Sequence, residues 1–102
     1  MATLHTVNKS PFQDQALASC LSHVKAGDSV LLIEDGVYGA LSGSTMSDLV
    51  SKSGADVSLL ALEPDVASRG IDHARLLEGI TLIDYAGFVD LAATTDRTQN
   101  WL

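Results

Sequence analysis

Cys20 is the only cysteine in the chain and its only soft nucleophile. A thiolate there could carry a sulfane sulfur as a persulfide, given exposure and a pKa lowered by a helix amino terminus or a nearby cation. Lys9, His23 and Lys25 are the cations whose sequence positions could bring them close. The surrounding pattern points the other way. Phe12, Ala16, Leu17, Cys20, Leu21 and Val24 form one stripe at about 100° per residue, so a helix carrying Cys20 turns it toward a core. Cys20 also lies in the later half of that helix, where the dipole does not favour a thiolate. On residue chemistry alone it reads as a buried, inert thiol. A lone cysteine also rules out an internal disulfide and a thiolate-rich metal site, and it fits a reducing cytoplasm.

The second candidate is the acidic stretch Glu34-Asp35-Gly36-Val37-Tyr38. It follows Val30-Leu31-Leu32-Ile33, an unbroken β-favouring run that fits a strand buried on both faces. Carboxylates cannot stay unpaired in an apolar core, so Glu34 and Asp35 must lie at the strand's carboxyl end, near water. In open α/β sheets ligands and partners bind at that end. Adjacent carboxylates do not face each other and make no acid/base dyad by themselves. Gly36 permits a sharp turn and Tyr38 presents a ring with a polar tip. Glu34, Asp35, Gly36 and Tyr38 are therefore the candidate partner-binding edge, against the plainer reading of a solvated strand-to-helix loop.

The remaining residues offer little chemistry. His5, His23 and His73 have no short metal-ligand spacing and each reads as structural or surface. His5 has the best functional claim of the three, because it sits in the first strand. Ser10, Ser19 and the other serines lack a nucleophile elbow. Gly36 and Gly39 do not make a dinucleotide fingerprint, and a phosphate-binding-loop lysine is missing, so no cofactor is expected.

The elements that must position these residues alternate along the chain. Leu4–Val7 reads as a first strand. A helix is expected over Pro11–Val24, with Ser10 as N-cap, Pro11 in the first position, Gln13 reaching back, and Gly27 past its end. Ser29–Ile33 is the second strand, and Gly36–Leu41 starts a helical turn. Thr45–Ser53 resumes as a helix with Met46, Leu49 and Val50 inward and Gly54 as its stop. Val57–Leu62 is the third strand, ended by Pro64, which opens a short helical turn to Ser68. Asp72 caps a further turn, Ile80–Ile83 is the fourth strand, and Asp84 caps a helix through Leu91. The last residues, Thr98–Leu102, fit a short fifth strand or a tail. Alternation of this kind implies an α/β fold with a mostly parallel sheet of about five strands and helices on both faces. Strand order does not follow from the pattern.

Bulk properties set the limits. The 102 residues make one domain, 1–102, with no repeat or linker. A formal charge of −7 leaves no basic stripe for nucleic acid. The amino terminus lacks the flank and apolar core of a secretory signal, and no run is long enough to span a membrane, so a cytoplasmic location is expected. A mean hydropathy of +0.20 is high for so small a chain: either the core is unusually full or some apolar surface is meant for another subunit.

Leu4-His5-Thr6-Val7-Asn8-Lys9-Ser10-Pro11-Phe12 and Leu31-Leu32-Ile33-Glu34-Asp35-Gly36-Val37-Tyr38 with Ala40-Leu41 resemble the DsrH/TusB family. So do Pro64-Asp65 with Ala67, Arg69-Gly70-Ile71, Asp84-Tyr85-Ala86-Gly87-Phe88-Val89 and the terminal Gln99-Asn100-Trp101-Leu102. The resemblance covers nearly the whole chain in order, while Ser42–Asp56 carries no signature. It implies a three-layer DsrE/F-like fold. It also implies a subunit of a sulfur-relay complex, a dimer of heterotrimers with DsrE/TusD-like and DsrF/TusC-like sisters, which hands persulfide sulfur to a DsrC/TusE-like carrier. In such complexes the principal persulfide cysteine is on the DsrE/TusD sister. One branch serves intracellular sulfur oxidation and the other 2-thiouridine formation at the tRNA wobble position. Cys20 matches the helix cysteine of the DsrH branch and favours sulfur oxidation. The isolated chain is expected to self-associate. A free-standing Cys20 persulfide sulfurtransferase and a small-molecule binding module beside Glu34–Tyr38 are the alternatives.

Overall fold

A computed structural model describes residues 2–43 and 57–101. The expected helix over Thr45–Ser53, with its stop at Gly54, lies outside the described residues. Five parallel strands form one sheet: β1 Thr3–Val7, β2 Ser29–Leu32, β3 Ser58–Leu62, β4 Ile80–Ile83 and β5 Arg97–Trp101, in the order β4-β3-β2-β1-β5. Among the described residues the other elements are helices α1 Ala16–Leu21, α2 Glu63–Ser68 and α3 Tyr85–Thr94 and two 3-10 segments, Glu34–Ala40 and His73–Arg75. The α/β reading and the parallel sheet are thus realised, and the expected fifth strand forms over Arg97–Trp101.

The order explains the layering. Steps from β1 to β4 all move one way across the sheet, and the return from β4 to β5 moves the other way. Parallel crossovers are right-handed, so α1 and α2 cover one face and α3 crosses the opposite one. The main core lies on the first face. Val7, Val30, Leu32 and Ala61 from the strands pack with Ala16, Leu17, Cys20 and Leu21 of α1 and with Val37, Ala40, Val66 and Ile71. On the other face Leu4 and Leu31 are also fully buried.

β2 is the middle strand and all four of its residues are buried, as its unbroken apolar run requires. The strand stops at Leu32, one residue short of the expectation: the Ile33 amide still donates to the Val7 carbonyl at 3.0 Å, and Glu34, at φ 49°, then turns the chain out of the sheet. The Val30–Leu32 amides are expected to be among the slowest in the chain to exchange with deuterium, and rapid exchange there would contradict a central strand.

Local chemistry placed most element ends correctly. Asp84 accepts from the Gly87 amide at 2.8 Å and Asp72 from the Ala74 amide at 3.0 Å, as N-caps should. The first helix is a correction. Ser10 closes a turn, its carbonyl accepting from Gln13 and Asp14, and α1 begins only at Ala16, whose amide is bound by Asp14 Oδ1 at 2.8 Å. Asp14 competes for the backbone and resets the start. Phe12, expected in the inward stripe, is therefore 53% exposed.

Candidate functional site

The acidic edge lies where the strand pattern put it, and tertiary contacts hold it rigid. Glu34 adopts φ 49°, a left-handed conformation uncommon outside glycine. Its amide donates to Asp65 Oδ2 at 2.7 Å, which fixes that turn. Asp35 Oδ1 accepts from Arg69 Nε at 3.0 Å, and Arg69 Nη1 also donates to Ser68 Oγ at 3.1 Å. This exposed ion pair adds little stability but fixes orientation. Val37 and Ala40, both fully buried, anchor the far side of the 3-10 helix, and Tyr38 is half-buried against the core. Glu34 and Asp35 stay exposed on this braced loop. Gly36 is required by close approach: a Cβ there would lie 2.0 Å from the Val7 carbonyl oxygen. Asp65 and Arg69 are the braces that local pattern did not assign.

A second cluster sits on the α1 face beside β1 and β5. His5 Nε2 and Asp28 Oδ2 are 2.9 Å apart and both residues are buried. The Trp101 indole N–H donates to His5 Nδ1 at 3.0 Å. An indole N–H is only a donor, so Nδ1 must be the acceptor and Nε2 carries the proton given to Asp28. Asp28 also accepts from the amides of Thr3 and Lys25, each at 3.0 Å. Burial pushes the Asp28 carboxyl up, but the His5 bond and the two amides together hold it below the ordinary carboxylate range. With both ring nitrogens and the carboxylate engaged, the cluster is a latch joining β1, the α1–β2 loop and β5, and His5 has no free nitrogen for proton transfer. The sequence reading passes over Asp28, although a carboxylate directly before a fully buried strand is a signal that could find it; nothing local marks Trp101 as the distant partner of His5.

Cys20 is fully buried in the core formed by α1 and the sheet. Burial, assisted by the negative charge of Asp28, pushes its thiol up to about 12. The cations that could have lowered it do not: the charge acting on the thiol is an anion. His23 is exposed, its ring 5.4 Å from that of Trp101, and His73 is exposed in its 3-10 turn. Neither reaches the acidic edge. Among the described residues no helix is long and apolar enough to cross a membrane.

The family model described as DsrH like protein matches residues 9–98. The chain belongs to the DsrH family. It is 36% identical to a protein named TusB from Erwinia tasmaniensis over 98 residues, 96% of this chain and 99% of that one. It is 34% identical, with the same coverage, to TusB of Escherichia coli. The fold of this DsrH-family chain is similar to that of the ychN protein from E. coli, with a TM-score of 0.77 at 15% identity over 98% of this chain and 99% of that one. It is also similar to a protein of unknown function from Methanobacterium thermoautotrophicum, with a TM-score of 0.75 at 20% identity over 97% and 96% of the two chains.

Proposed function

We propose that this chain is a mainly structural subunit of a sulfur-relay complex, assembling with DsrE/TusD-like and DsrF/TusC-like sisters and shaping the surface where a DsrC/TusE-like carrier receives persulfide sulfur. The family assignment supplies the relay. The observation that carries the subunit reading is α3, an apolar helix in which no residue is buried. Tyr85 and Val89, one turn apart on the same side, are 59% and 67% exposed. A lone chain gains nothing from that surface, whereas a second subunit would bury it. Glu34, Asp35, Gly36 and Tyr38 form the docking edge in this reading. The braced loop supports it, since a preorganised surface loses less entropy on binding.

Cys20 is not the sulfur carrier in this reading, because a buried thiol near pKa 12 supplies almost no thiolate. Cys20→Ser is expected to leave the complex assembled and to keep most of the transfer to the carrier, the new hydroxyl bonding one turn back along the helix. The measurement is sulfur transfer by reconstituted complexes, with assembly followed by size exclusion. Loss of transfer from an intact Cys20→Ser complex would make Cys20 an obligatory station and overturn the structural role.

Sulfur oxidation is the favoured setting, from the match of Cys20 to the DsrH branch. A specific observation favours tRNA 2-thiolation as a second reading: the curated relatives cited above are named TusB. Deleting the gene separates the two. Loss of wobble 2-thiouridine identifies thiolation, and failure to consume stored sulfur identifies oxidation.

A further inference from the structure

A cleft of about 600 Å³ opens beside the His5–Asp28 latch, away from the acidic edge. Its lining is unusual for this chain. The protein carries a net −7 and only six Lys and Arg residues, yet Lys25 and Arg97 both line this one cleft. Neither has a carboxylate partner among the described residues, where Arg69 is the basic side chain that pairs with one, Asp35. Arg97 uses Nε on Thr3 Oγ1 at 3.2 Å, one of five donors that a guanidinium carries. Lys25 is exposed. Unpaired cations in an otherwise acidic chain focus positive potential at this point.

The remaining lining gives the cleft a body as well as a charge. Trp101 and His23 form an aromatic wall, with ring centroids 5.4 Å apart and planes at 43°. Gln99 adds an amide with both donor and acceptor capacity. The one anion in the lining, Asp28, is occupied by three N–H donors. The latch also holds the aromatic wall in place, because Trp101 is tied to His5. The volume is larger than a bare oxyanion needs and falls in the range of small-molecule sites. A metal cation would be repelled by Lys25 and Arg97, and a polyanion by the net charge of the chain.

We propose that this cleft binds a small organic anion, its carboxylate or phosphate head held by Lys25 and Arg97 and its flat body against Trp101 and His23. The site is independent of the assembly reading, since every residue of it belongs to this chain. Trp101 is the only tryptophan, so its indole N–H gives a single cross-peak in a nitrogen–proton NMR spectrum. Titrating the full chain with adenosine monophosphate, and separately with benzoate, is expected to move that peak saturably with at least one of them, the pair distinguishing a phosphate from a carboxylate head. Inorganic phosphate should bind more weakly than the ring-bearing anion. Lys25→Gln with Arg97→Gln should weaken binding at least about tenfold, the effect of losing charge-assisted hydrogen bonds. The Lys25 side chain makes no hydrogen bond or ion pair among the described residues, so Lys25→Gln alone is expected to fold as the native chain does. The proposal is overturned if neither anion gives a saturable shift at millimolar concentration, if the charge-removed variants bind as well as the native chain, or if inorganic phosphate binds as tightly as the ring-bearing anions.

Discussion

Gly36→Val is expected to destabilise the chain by about 3 kcal/mol and to lower its Tm by roughly 12 to 24 °C. A Cβ at this position would stand 2.0 Å from the Val7 carbonyl oxygen and 2.8 Å from its carbon. Both are backbone atoms at the end of β1, so no rotamer change relieves the clash. The same carbonyl accepts the Ile33 amide at 3.0 Å, and the Gly36 amide donates to Ile33 at 2.8 Å. Moving the loop outward therefore breaks the bond that closes the gap between β1 and the end of β2. It also displaces Glu34 and Asp35 from the positions fixed by Asp65 and Arg69. Read from the sequence, Gly36 is a residue that permits a sharp turn, with strain on substitution if its φ is positive. The structure corrects the reason, because the positive φ belongs to Glu34 and Gly36 is needed for lack of a side chain. Gly36→Ala, which has the same Cβ, should show most of the loss. Thermal and urea unfolding of the two variants measure it, and a native-like Gly36→Ala would show that the approach of the loop to β1 is not tight.

Asp28→Asn is expected to cost about 3 kcal/mol at neutral pH, because it removes the charge that three N–H donors share, two of them buried. An amide can accept for some of them, but its own NH2 then faces donors. The loss should depend on pH in a defined direction. The folded Asp28 carboxyl is held below the ordinary range, whereas in the unfolded chain it titrates near 3.9. On acidification the unfolded state takes up the proton first, which favours unfolding. The stabilisation is thus complete above the unfolded value and disappears as pH falls through the folded one. Urea midpoints of the native chain and Asp28→Asn should differ widely at pH 7 and by less at pH 3, where the unfolded carboxyl is already protonated. An equal gap at both pH values would mean that the Asp28 charge contributes nothing and that the loss is one of packing alone. The Trp101 indole signal should shift in this variant as well, since His5 loses the partner that orients its ring.

What the sequence determined by itself is the set of features with local causes. Val30–Leu32 had to be an interior strand because no polar side chain interrupts it. Asp72 and Asp84 had to open helical segments because a carboxylate two or three residues ahead of a free amide is a cap wherever the chain lies. The burial of Cys20 followed from its place in an apolar stripe, although the helix carrying it is shorter than the stripe suggested. The tertiary structure decided the pairings. Asp65 braces Glu34 across 31 residues, Asp28 meets His5 across 23, and Trp101 meets His5 across 96. β5 is the clearest case. Arg97–Asn100 is polar and exposed, with no alternation to mark a strand, and it becomes one because β1 offers an unpaired edge for its backbone to complete. Both the acidic edge and the cationic cleft depend on such long-range contacts, because local pattern records which residues are present and only the order of strands in the sheet determines which of them meet.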